Sequence, residues 1–210
     1  DISPEYAEST LRGYMPECTR REAFQKVVFS LGAIVDTTGT HKIKVFPPVF
    51  SGEGIEISPK ETYTGGKVTT SDTVTEVIVY GYDIEDKRPS EPWHKYIEVE
   101  VDGEPQQYKY ELITARAVNP NVSAGTLTNK IEYEECYLIN STNAQKRADE
   151  ILNYYMRRNV YNASHIVRDN KPGERAVISL PWGGMQNSNI LKMQVVTTGI
   201  TVSNTDFLLD

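Results

Sequence analysis

The chain has 210 residues, of which 39% are hydrophobic and 24% are charged, and its formal net charge is −7. This length allows one sizeable core or two small ones, and the composition is ordinary for a globular protein. No apolar run approaches the roughly 20 residues that span a bilayer, the first residues lack the pattern of a signal peptide, and the basic residues are dispersed; a membrane segment, a leader and a nucleic-acid-binding face are therefore not expected.

The first predicted elements are a connector and a helix. Residues 1–18 show no periodicity, and because the chain begins at Asp1 instead of Met we expect an excised fragment or a processed product. Thr19 and Glu22 have the spacing of a capping box, and apolar residues follow at helical intervals. Gly32 is placed to close this helix in a left-handed conformation.

Two short strands are predicted directly after the helix. Residues 33–36 and 42–46 are rich in β-formers and are joined by a turn-forming segment. Pro47 and Pro48 end the second strand, because proline donates no backbone hydrogen bond to a sheet. We therefore predict that residues 1–50 form a connector plus a small α-β-β unit.

The middle of the chain alternates between apolar and polar residues, with the period of half-buried strands. Hairpin and loop signals separate the runs, most clearly at Asp102-Gly103. Regularly spaced strands with one flanking helix are typical of an antiparallel β-barrel or sandwich. The predicted strands lie in residues 68–83, 95–101, 108–112 and 130–133.

A second helix is predicted over residues 142–158. Thr142 and Gln145 have capping-box spacing, and Arg157 and Arg158 stand where cations favour a helix C-terminus. One stripe of the helix is apolar and the other side is charged, so the helix is expected to lie on a sheet. The apolar stripe consists of Ala144, Ala148, Ile151, Leu152 and Tyr155.

The remainder of the chain is predicted to be sheet. A strand at 166–168, a turn at 171–174 and a strand at 175–180 are expected to form a hairpin, and a second reversal follows at 181–184. The run 189–202 fits two short strands or one bulged strand. Residues 51–210 are thus predicted to be an antiparallel β domain with helix 142–158, and the fold class to be α+β, mostly β.

The sequence offers no catalytic, cofactor-binding or metal-binding set, so we predict a protein without enzymatic activity. His41, His94 and His165 are isolated, and Cys18 and Cys136 are expected to be separate free thiols. No phosphate-binding loop, dinucleotide fingerprint or nucleophile elbow occurs. The carboxylates of Asp83, Glu85 and Asp86 lack calcium-loop spacing and are expected to be a solvated cluster.

Segments at both ends of the chain carry a family resemblance. Residues 13–23 (GYMPECTRREA), 29–36 and 42–46 form one α-β-β pattern, and residues 57–68 continue it as strands. The helix that opens with residues 144–148 (AQKRA), and the Gly-Glu pair before a later strand, complete the pattern. These segments resemble the phage and prophage tail-hub, or baseplate-hub, proteins, and the resemblance covers most of the chain.

The resemblance implies a structural role. Such proteins form a ring of three copies with tail-tube-like barrels, which continues the tail tube and leaves a lumen for the genome. The implied partners are further copies and the distal tail, tube and tape-measure proteins, and the implied location is a virion tail assembled in the bacterial cytoplasm. DNA is expected to pass without specific binding, since an acidic wall repels a polyanion. A lytic domain in the parent chain is compatible with this family.

Two alternatives remain open at the level of sequence. An extracellular adhesion or carbohydrate-binding module would use aromatic rings as a stacking platform. A peptidoglycan hydrolase is the other alternative, although no catalytic set supports it. The candidate platform residues are Tyr80, Tyr82, Trp93, Tyr96, Tyr108 and Tyr110.

Overall fold

The computed structural model describes residues 2–37, 42–63, 65–85, 96–101, 104–123, 125–197, 199 and 201–210. These residues form three helices and twelve strands. In chain order the elements are α1 (Pro4–Ala7), α2 (Arg20–Leu31), β1 (Ile34–Asp36), β2 (Lys44–Phe46), β3 (Ile55–Ile57), β4 (Lys67–Thr70), β5 (Glu76–Glu85), β6 (Tyr96–Val101), β7 (Glu104–Val118), β8 (Lys130–Cys136), α3 (Ala144–Met156), β9 (Asn159–Ile166), β10 (Arg175–Ser179), β11 (Met185–Val196) and β12 (Val202–Leu209).

The chain divides into two compact units that interleave in sequence. The first unit contains Asp1–Ser3, Ile34–Thr73 and Tyr155–Asp210, and the second contains Pro4–Ala33 and Val74–Tyr154. Helix α2 therefore belongs to the second unit, whereas β1 and β2 belong to the first. We also predicted a boundary near residue 50, between segments 1–50 and 51–210 of the chain. This boundary stays a prediction.

The first unit is built on a six-stranded sheet with the order β3-β10-β11-β12-β9-β4. The β10–β3 pair is parallel and the other pairs are antiparallel. A β-bulge interrupts the register of β11 between Ile190 and Lys192. In the same unit, β1 and β2 form an antiparallel hairpin. One face of the six-stranded sheet, here called the core face, is apolar and buried; its cluster comprises Ile57, Tyr161, Ala163, Ala176, Ile178, Leu180, Ile190, Phe207 and Leu209.

The second unit contains a four-stranded sheet with the order β6-β7-β5-β8 and the longer helices. The β5–β8 pair is parallel, and β7 is antiparallel to β5 and β6. Helix α2 begins with the predicted capping box of Thr19 and Glu22, and it ends at Gly32, whose φ of 68° is left-handed. A Cβ at Gly32 would lie 2.6 Å from the Glu150 carboxylate on α3, so glycine permits a close approach of the two helices.

The predicted fold class, α+β and mostly β, is confirmed. The β6–β7 hairpin also forms as predicted, with Val101 paired to Glu104, although its two turn residues lie outside the described part of the chain. In the described residues the sheets are open and do not close into a barrel, because β3 and β4 are the two edges of the six-stranded sheet. The run predicted as residues 68–83 is two strands, β4 and β5, which lie in different sheets.

The predicted start of the second helix is wrong. Helix α3 begins at Ala144, and the preceding turn is held by Asn140 and Asn143: Asn140 Oδ1 accepts from the Thr142 amide at 3.0 Å, and Asn143 Oδ1 accepts from the Asn140 amide at 2.9 Å. Gln145 instead donates to a backbone carbonyl of β7 at 3.1 Å. Asparagine and threonine side chains can both cap a helix. Asparagine has this role here, because its side-chain amide also forms hydrogen bonds with the backbone.

The predicted end of this helix and the hairpin after it also differ from the structure. Helix α3 ends at Met156, so Arg157 and Arg158 lie beyond it, and β9 ends at Ile166, where a strand was expected to begin. Strand β10 pairs with β11 and β3 instead of β9, because the sheet is completed by segments from elsewhere in the chain. The reversal at residues 181–184 is confirmed. Four residues of the predicted apolar stripe are buried, namely Ala144, Ala148, Ile151 and Leu152, whereas Tyr155 is half-buried.

Candidate functional site

The second face of the six-stranded sheet, here called the polar face, is an extended polar surface of the first unit. Alternation of side chains along each strand puts Tyr161 and Ala163 on the core face and Asn162 and Ser164 on the polar face. Cross-strand register extends this pattern over β4, β9, β12 and β11. The polar residues brought into register are Lys67, Asn162, Asp206 and Lys192 in one row and Ser164, Asn204 and Gln194 in the next.

Short hydrogen bonds order the side chains of the polar face. Asn162 Nδ2 donates to Asp206 Oδ1 at 2.6 Å, and Ser164 Oγ donates to Asn204 Oδ1 at 2.6 Å. Asn162 remains exposed. Two lysines and one aspartate share the first row, so this face is polar but not acidic. It therefore presents a mixed polar and charged surface over several strands.

One end of the polar face carries the Arg175 cluster, which consists of Arg157, Arg175, Asn189 and Asp210. The Arg175 side chain is only 5% exposed and donates to both carboxylate oxygens of Asp210, at 2.8 and 2.6 Å. Arg175 and Arg157 both donate to Asn189 Oδ1, at 3.1 and 2.6 Å. The hydrogen bond from Arg175 is the main cause that lowers the pKa of Asp210.

The Arg175 cluster also holds the segment that follows β2. Asn189 Nδ2 donates to the Val49 carbonyl at 2.5 Å, and the Arg157 guanidinium lies 4.9 Å from the centre of the Phe50 ring. Every member of the cluster thus has a partner within the first unit. Sequence reasoning missed it because Asn189 and Val49 are 140 positions apart.

His165 lies in a buried chain of hydroxyl groups on the core face. Its ring is fully buried, with Nδ1 2.8 Å from the Ile166 carbonyl and Nε2 2.9 Å from Thr205 Oγ1. Ser203 Oγ lies 2.9 Å from the same Thr205 oxygen. Burial lowers the pKa of His165. A histidine, a threonine and a serine that contact one another in a row have the residue types of a catalytic relay. A substrate cannot reach these hydroxyls, because all three side chains are buried.

The other candidates named from the sequence do not converge on a reactive site within the residues that the structure describes. His41, His94 and Asp86 lie outside those residues, and Asp83 accepts a hydrogen bond from the Ser141 amide at 3.0 Å. No group of three potential metal ligands occurs in the described part. The two cysteines, Cys18 and Cys136, are free thiols.

Two of the tyrosines proposed as a stacking platform, Tyr82 and Tyr110, pack against each other, and Tyr82 also packs against a third ring, Tyr137. Tyr82 stacks on Tyr137 at 4.9 Å between ring centres and meets the edge of Tyr110 at 5.4 Å. Tyr14 in turn meets Tyr137 edge-on at 5.9 Å. This row ties the segment before α2 to the sheet, so these rings pack within the second unit. Trp93 and the side chain of Tyr96 lie outside the described part of the chain.

A groove of about 390 Å³ opens between α2 and the end of β8 in the second unit. Phe29, Tyr133 and Tyr137 line it, with Lys26 and Cys136. Burial raises the pKa of the Cys136 thiol to about 11, so the thiol stays protonated at neutral pH and is a poor nucleophile. The groove therefore has aromatic walls but no reactive thiolate.

The chain resembles known proteins in its fold and not in its sequence. No protein-family model matches the sequence, and no curated protein matches it. Among solved structures, the chain is similar to a tail protein from Neisseria meningitidis MC58, with a TM-score of 0.58, 11% identity and coverage of 95% of this chain and 57% of that chain. It is also similar to the prophage tail protein gp18 from Listeria monocytogenes EGD-e, with a TM-score of 0.53, 13% identity and coverage of 99% and 58%.

A third similarity is to a chain in the virion of a native gene transfer agent particle, with a TM-score of 0.54, 11% identity and coverage of 90% of this chain and 39% of that one. In each case this chain spans less than two thirds of the other protein's length. No helix among the described residues is long and apolar enough to cross a membrane. The mostly β architecture of this chain is the fold of phage and prophage tail proteins.

Proposed function

We propose that this protein is a structural component of a phage or prophage tail tip or baseplate hub. The observation that carries the proposal is the fold similarity to two tail proteins, which extends over 95% or more of this chain. Similarity over the whole chain supports a shared architectural role better than similarity of one motif would. A structural role also agrees with the buried His165 relay and the protonated Cys136, neither of which can act on a substrate.

In this proposal three copies form a ring that continues the tail tube. The polar face of the six-stranded sheet suits a wall in contact with water, because its two rows are built of polar and charged side chains, two pairs of which are hydrogen-bonded to each other. Edge strands such as β4 would abut neighbouring copies and so be protected from uncontrolled pairing. The ring would bind distal tail, tube and tape-measure proteins and would be assembled in the bacterial cytoplasm before it enters the virion tail.

We further propose that the protein acts without enzymatic activity and without a bound cofactor or metal. The genome would pass through the ring without specific binding. The net charge of −7 supports this part of the proposal for the chain as a whole, although the polar face carries both lysines and an aspartate. Residues 1–50 and 51–210 would be the two sequence segments that build the subunit.

The test is to locate the protein in particles. Particles from a strain that encodes this chain are purified, labelled with an antibody against it and imaged by electron microscopy, and copies are counted by quantitative mass spectrometry. We expect label at one end of the tail and three or a small multiple of three copies per particle. Absence of the chain from purified particles, or its presence along the whole tail, would contradict the proposal. A lytic assay on the purified chain separates it from a peptidoglycan hydrolase.

A further inference from the structure

A short segment before β4, here called the strap, lies along the outer edge of β9. The strap comprises residues 58–63, and its Thr62 forms an antiparallel bridge with His165 of β9. Two backbone hydrogen bonds flank this bridge, from the Tyr63 amide to the Ser164 carbonyl at 2.8 Å and from the Ile166 amide to the Glu61 carbonyl at 2.9 Å. Beside His165 the strap therefore holds the edge position that β4 holds beside the first half of β9.

The strap is the neighbour of His165 that can leave at the lowest cost. On its other side β9 is paired along most of its length with β12, and β12 is paired in turn with β11. In the described part of the chain no strand pairs with the outer side of the strap. Local opening requires the least free energy where the fewest contacts are lost. An opening that uncovers His165 therefore begins at the strap.

A carboxylate stabilises the strap in its closed position. Glu61 Oε2 accepts from the amide and from the hydroxyl of Ser58, both at 3.0 Å. The other oxygen, Oε1, forms an ion pair with Arg168, which follows β9. The Thr62 hydroxyl donates to the Ser58 carbonyl at 3.2 Å. These bonds give the strap a defined turn, so it closes against β9 and leaves it as one segment.

The closed strap separates the His165 imidazole from water. The residue is 0% exposed, and its two ring nitrogens are hydrogen-bonded to the Ile166 carbonyl and the Thr205 hydroxyl. Side chains that stand opposite each other in an antiparallel pair lie on the same face of a sheet, so Thr62 lies beside the ring on the core face. Departure of the strap uncovers that side of the imidazole.

The charged side chains of the neighbouring elements do not compensate a proton on this ring. On the strap, both carboxylate oxygens of Glu61 are bound and Lys60 is exposed. On β12, Asp206 lies on the polar face and accepts from Asn162 at 2.6 Å. Burial lowers the pKa of His165, and the opposing hydrogen bond to the backbone has the smaller effect. Among the described residues, a proton on the closed ring is therefore a buried charge without an anionic partner, which is costly.

We propose that the strap is an acid-sensitive element of the fold, which opens from β9 when His165 takes up a proton. In the open chain the imidazole reaches water and binds a proton at its ordinary pKa of about 6.5. Acid then favours the open state, because a ligand shifts an equilibrium toward the state that binds it better. Opening also frees the Ser164 carbonyl and the Ile166 amide at the edge of the sheet. The proposal concerns the single chain and does not depend on the proposed ring.

The experiment follows amide hydrogen exchange of the full chain by nuclear magnetic resonance between about pH 7.5 and 5.5, above the range where carboxylates titrate. The reporters are the amides of Tyr63 and Ile166, which join the strap to β9. We expect their protection, corrected for intrinsic exchange, to fall below about pH 6.5 by up to tenfold per pH unit, because opening takes up one proton. Dilute urea should change it little, since a short segment exposes little surface when it opens.

Two variants identify the group that titrates. His165→Gln removes the proton site and should make the protection of both reporters independent of pH in this window. Glu61→Gln, on the strap itself, is the matched control: it weakens the ion pair with Arg168 and lowers the protection, but the fall with pH should remain. A fall that disappears in Glu61→Gln and persists in His165→Gln would assign the effect to the carboxylate and overturn the proposal.

The wild-type chain gives a second reading, which holds even if His165→Gln does not fold. The ring signals of His165 should show a neutral imidazole at about pH 6.5 in the folded chain, while the protection of the reporters already falls. A folded-state imidazole that is protonated above this pH would contradict the proposal. So would constant protection of both reporters across the window, or exchange of the reporters with the urea dependence of global unfolding.

Discussion

Among single residues, His165 shows how a buried polar group is accommodated. The Ile166 carbonyl can only accept, so Nδ1 must carry the proton and Nε2 must accept from the Thr205 hydroxyl. Thr205 Oγ1 is then left to accept from Ser203. This set of hydrogen bonds requires a neutral imidazole, because Nε2 can accept only when it carries no proton. Protonation of Nε2 would force the Thr205 hydroxyl to turn from the ring and donate elsewhere, and it would place a charge where the ring is fully buried.

We predict that acid weakens the fold through His165. Because burial lowers its pKa in the folded state, the unfolded chain binds more protons below about pH 6.5, and the free energy of unfolding falls as the pH falls from there to the folded-state pKa. The loss is at most about 1.4 kcal/mol per pH unit for one proton.

Thermal or urea unfolding between about pH 7.5 and 5.5, above the range where carboxylates titrate, measures the effect. His165→Gln should flatten the pH dependence in this window, although it lowers stability overall. An unchanged slope in His165→Gln would show that another group is responsible.

Among the helices and strands, polar junctions decide where each element begins. Asn140 is buried and holds three connections: its Oδ1 accepts from the Thr142 amide and hydroxyl, and its Nδ2 donates to the Arg12 carbonyl at 3.1 Å. The turn before α3 is thus tied both to the helix and to the segment before α2. The Arg175 cluster likewise links β10, β11 and the end of β12 through hydrogen bonds between polar side chains.

We predict that Asn140→Ala lowers the free energy of unfolding by about 1–2 kcal/mol, the typical loss for a helix cap. Gln145→Ala should cost less than about 0.5 kcal/mol, since its side chain is exposed and exposed substitutions have small effects. Urea unfolding of the two variants distinguishes the asparagine turn from a cap of Thr142 and Gln145. Equal losses in both variants would argue against the asparagine turn.

We predict that Asp210→Asn lowers the free energy of unfolding by about 1–2 kcal/mol, because the nearly buried Arg175 then loses its charged acceptor. We expect less than the full loss of a buried ion pair, since the Asp210 side chain is 37% exposed. Asp169→Asn, at an exposed aspartate, is the matched control and should unfold as wild type does. Chemical denaturation at pH 7 is the measurement, and an Asp210→Asn midpoint equal to that of the control would refute the role of the cluster.

For the molecule as a whole, the net charge bears on the proposed function. The chain carries 29 acidic and 22 basic residues, and its basic residues are dispersed along the sequence. The fold is that of phage and prophage tail proteins. In the proposed ring, a net negative charge would keep DNA from being retained, because like charges repel.

We predict that the purified chain does not bind double-stranded DNA at physiological salt. Non-specific DNA-binding proteins reach dissociation constants of about 10⁻⁴ to 10⁻⁶ M there, through phosphate contacts that release counterions. Electrophoretic mobility or fluorescence anisotropy should show weaker binding than this range. Micromolar binding that weakens steeply as salt is raised would contradict a non-binding conduit.

Features that depend on near neighbours could be predicted from the amino-acid sequence. Helix α2 follows from Thr19, Glu22 and Gly32, and the buried stripe of α3 follows from its 3.6-residue period, because hydrogen bonds three or four positions apart are encoded locally. Alternation likewise predicted the mostly β class. These local predictions hold in the folded chain because the hydrogen bonds on which they rest need no residue that is distant in sequence.

Strand partners and the meetings of distant polar groups could be known only from the folded chain. Strand β3 joins β10 and β4 joins β9 across more than 80 positions, and Asn189 reaches Val49 across 140. The Arg175 cluster and the His165 relay both depend on such pairings. A local pattern shows that a strand is half-buried but not what it lies beside, since that choice is made by the burial of the whole core.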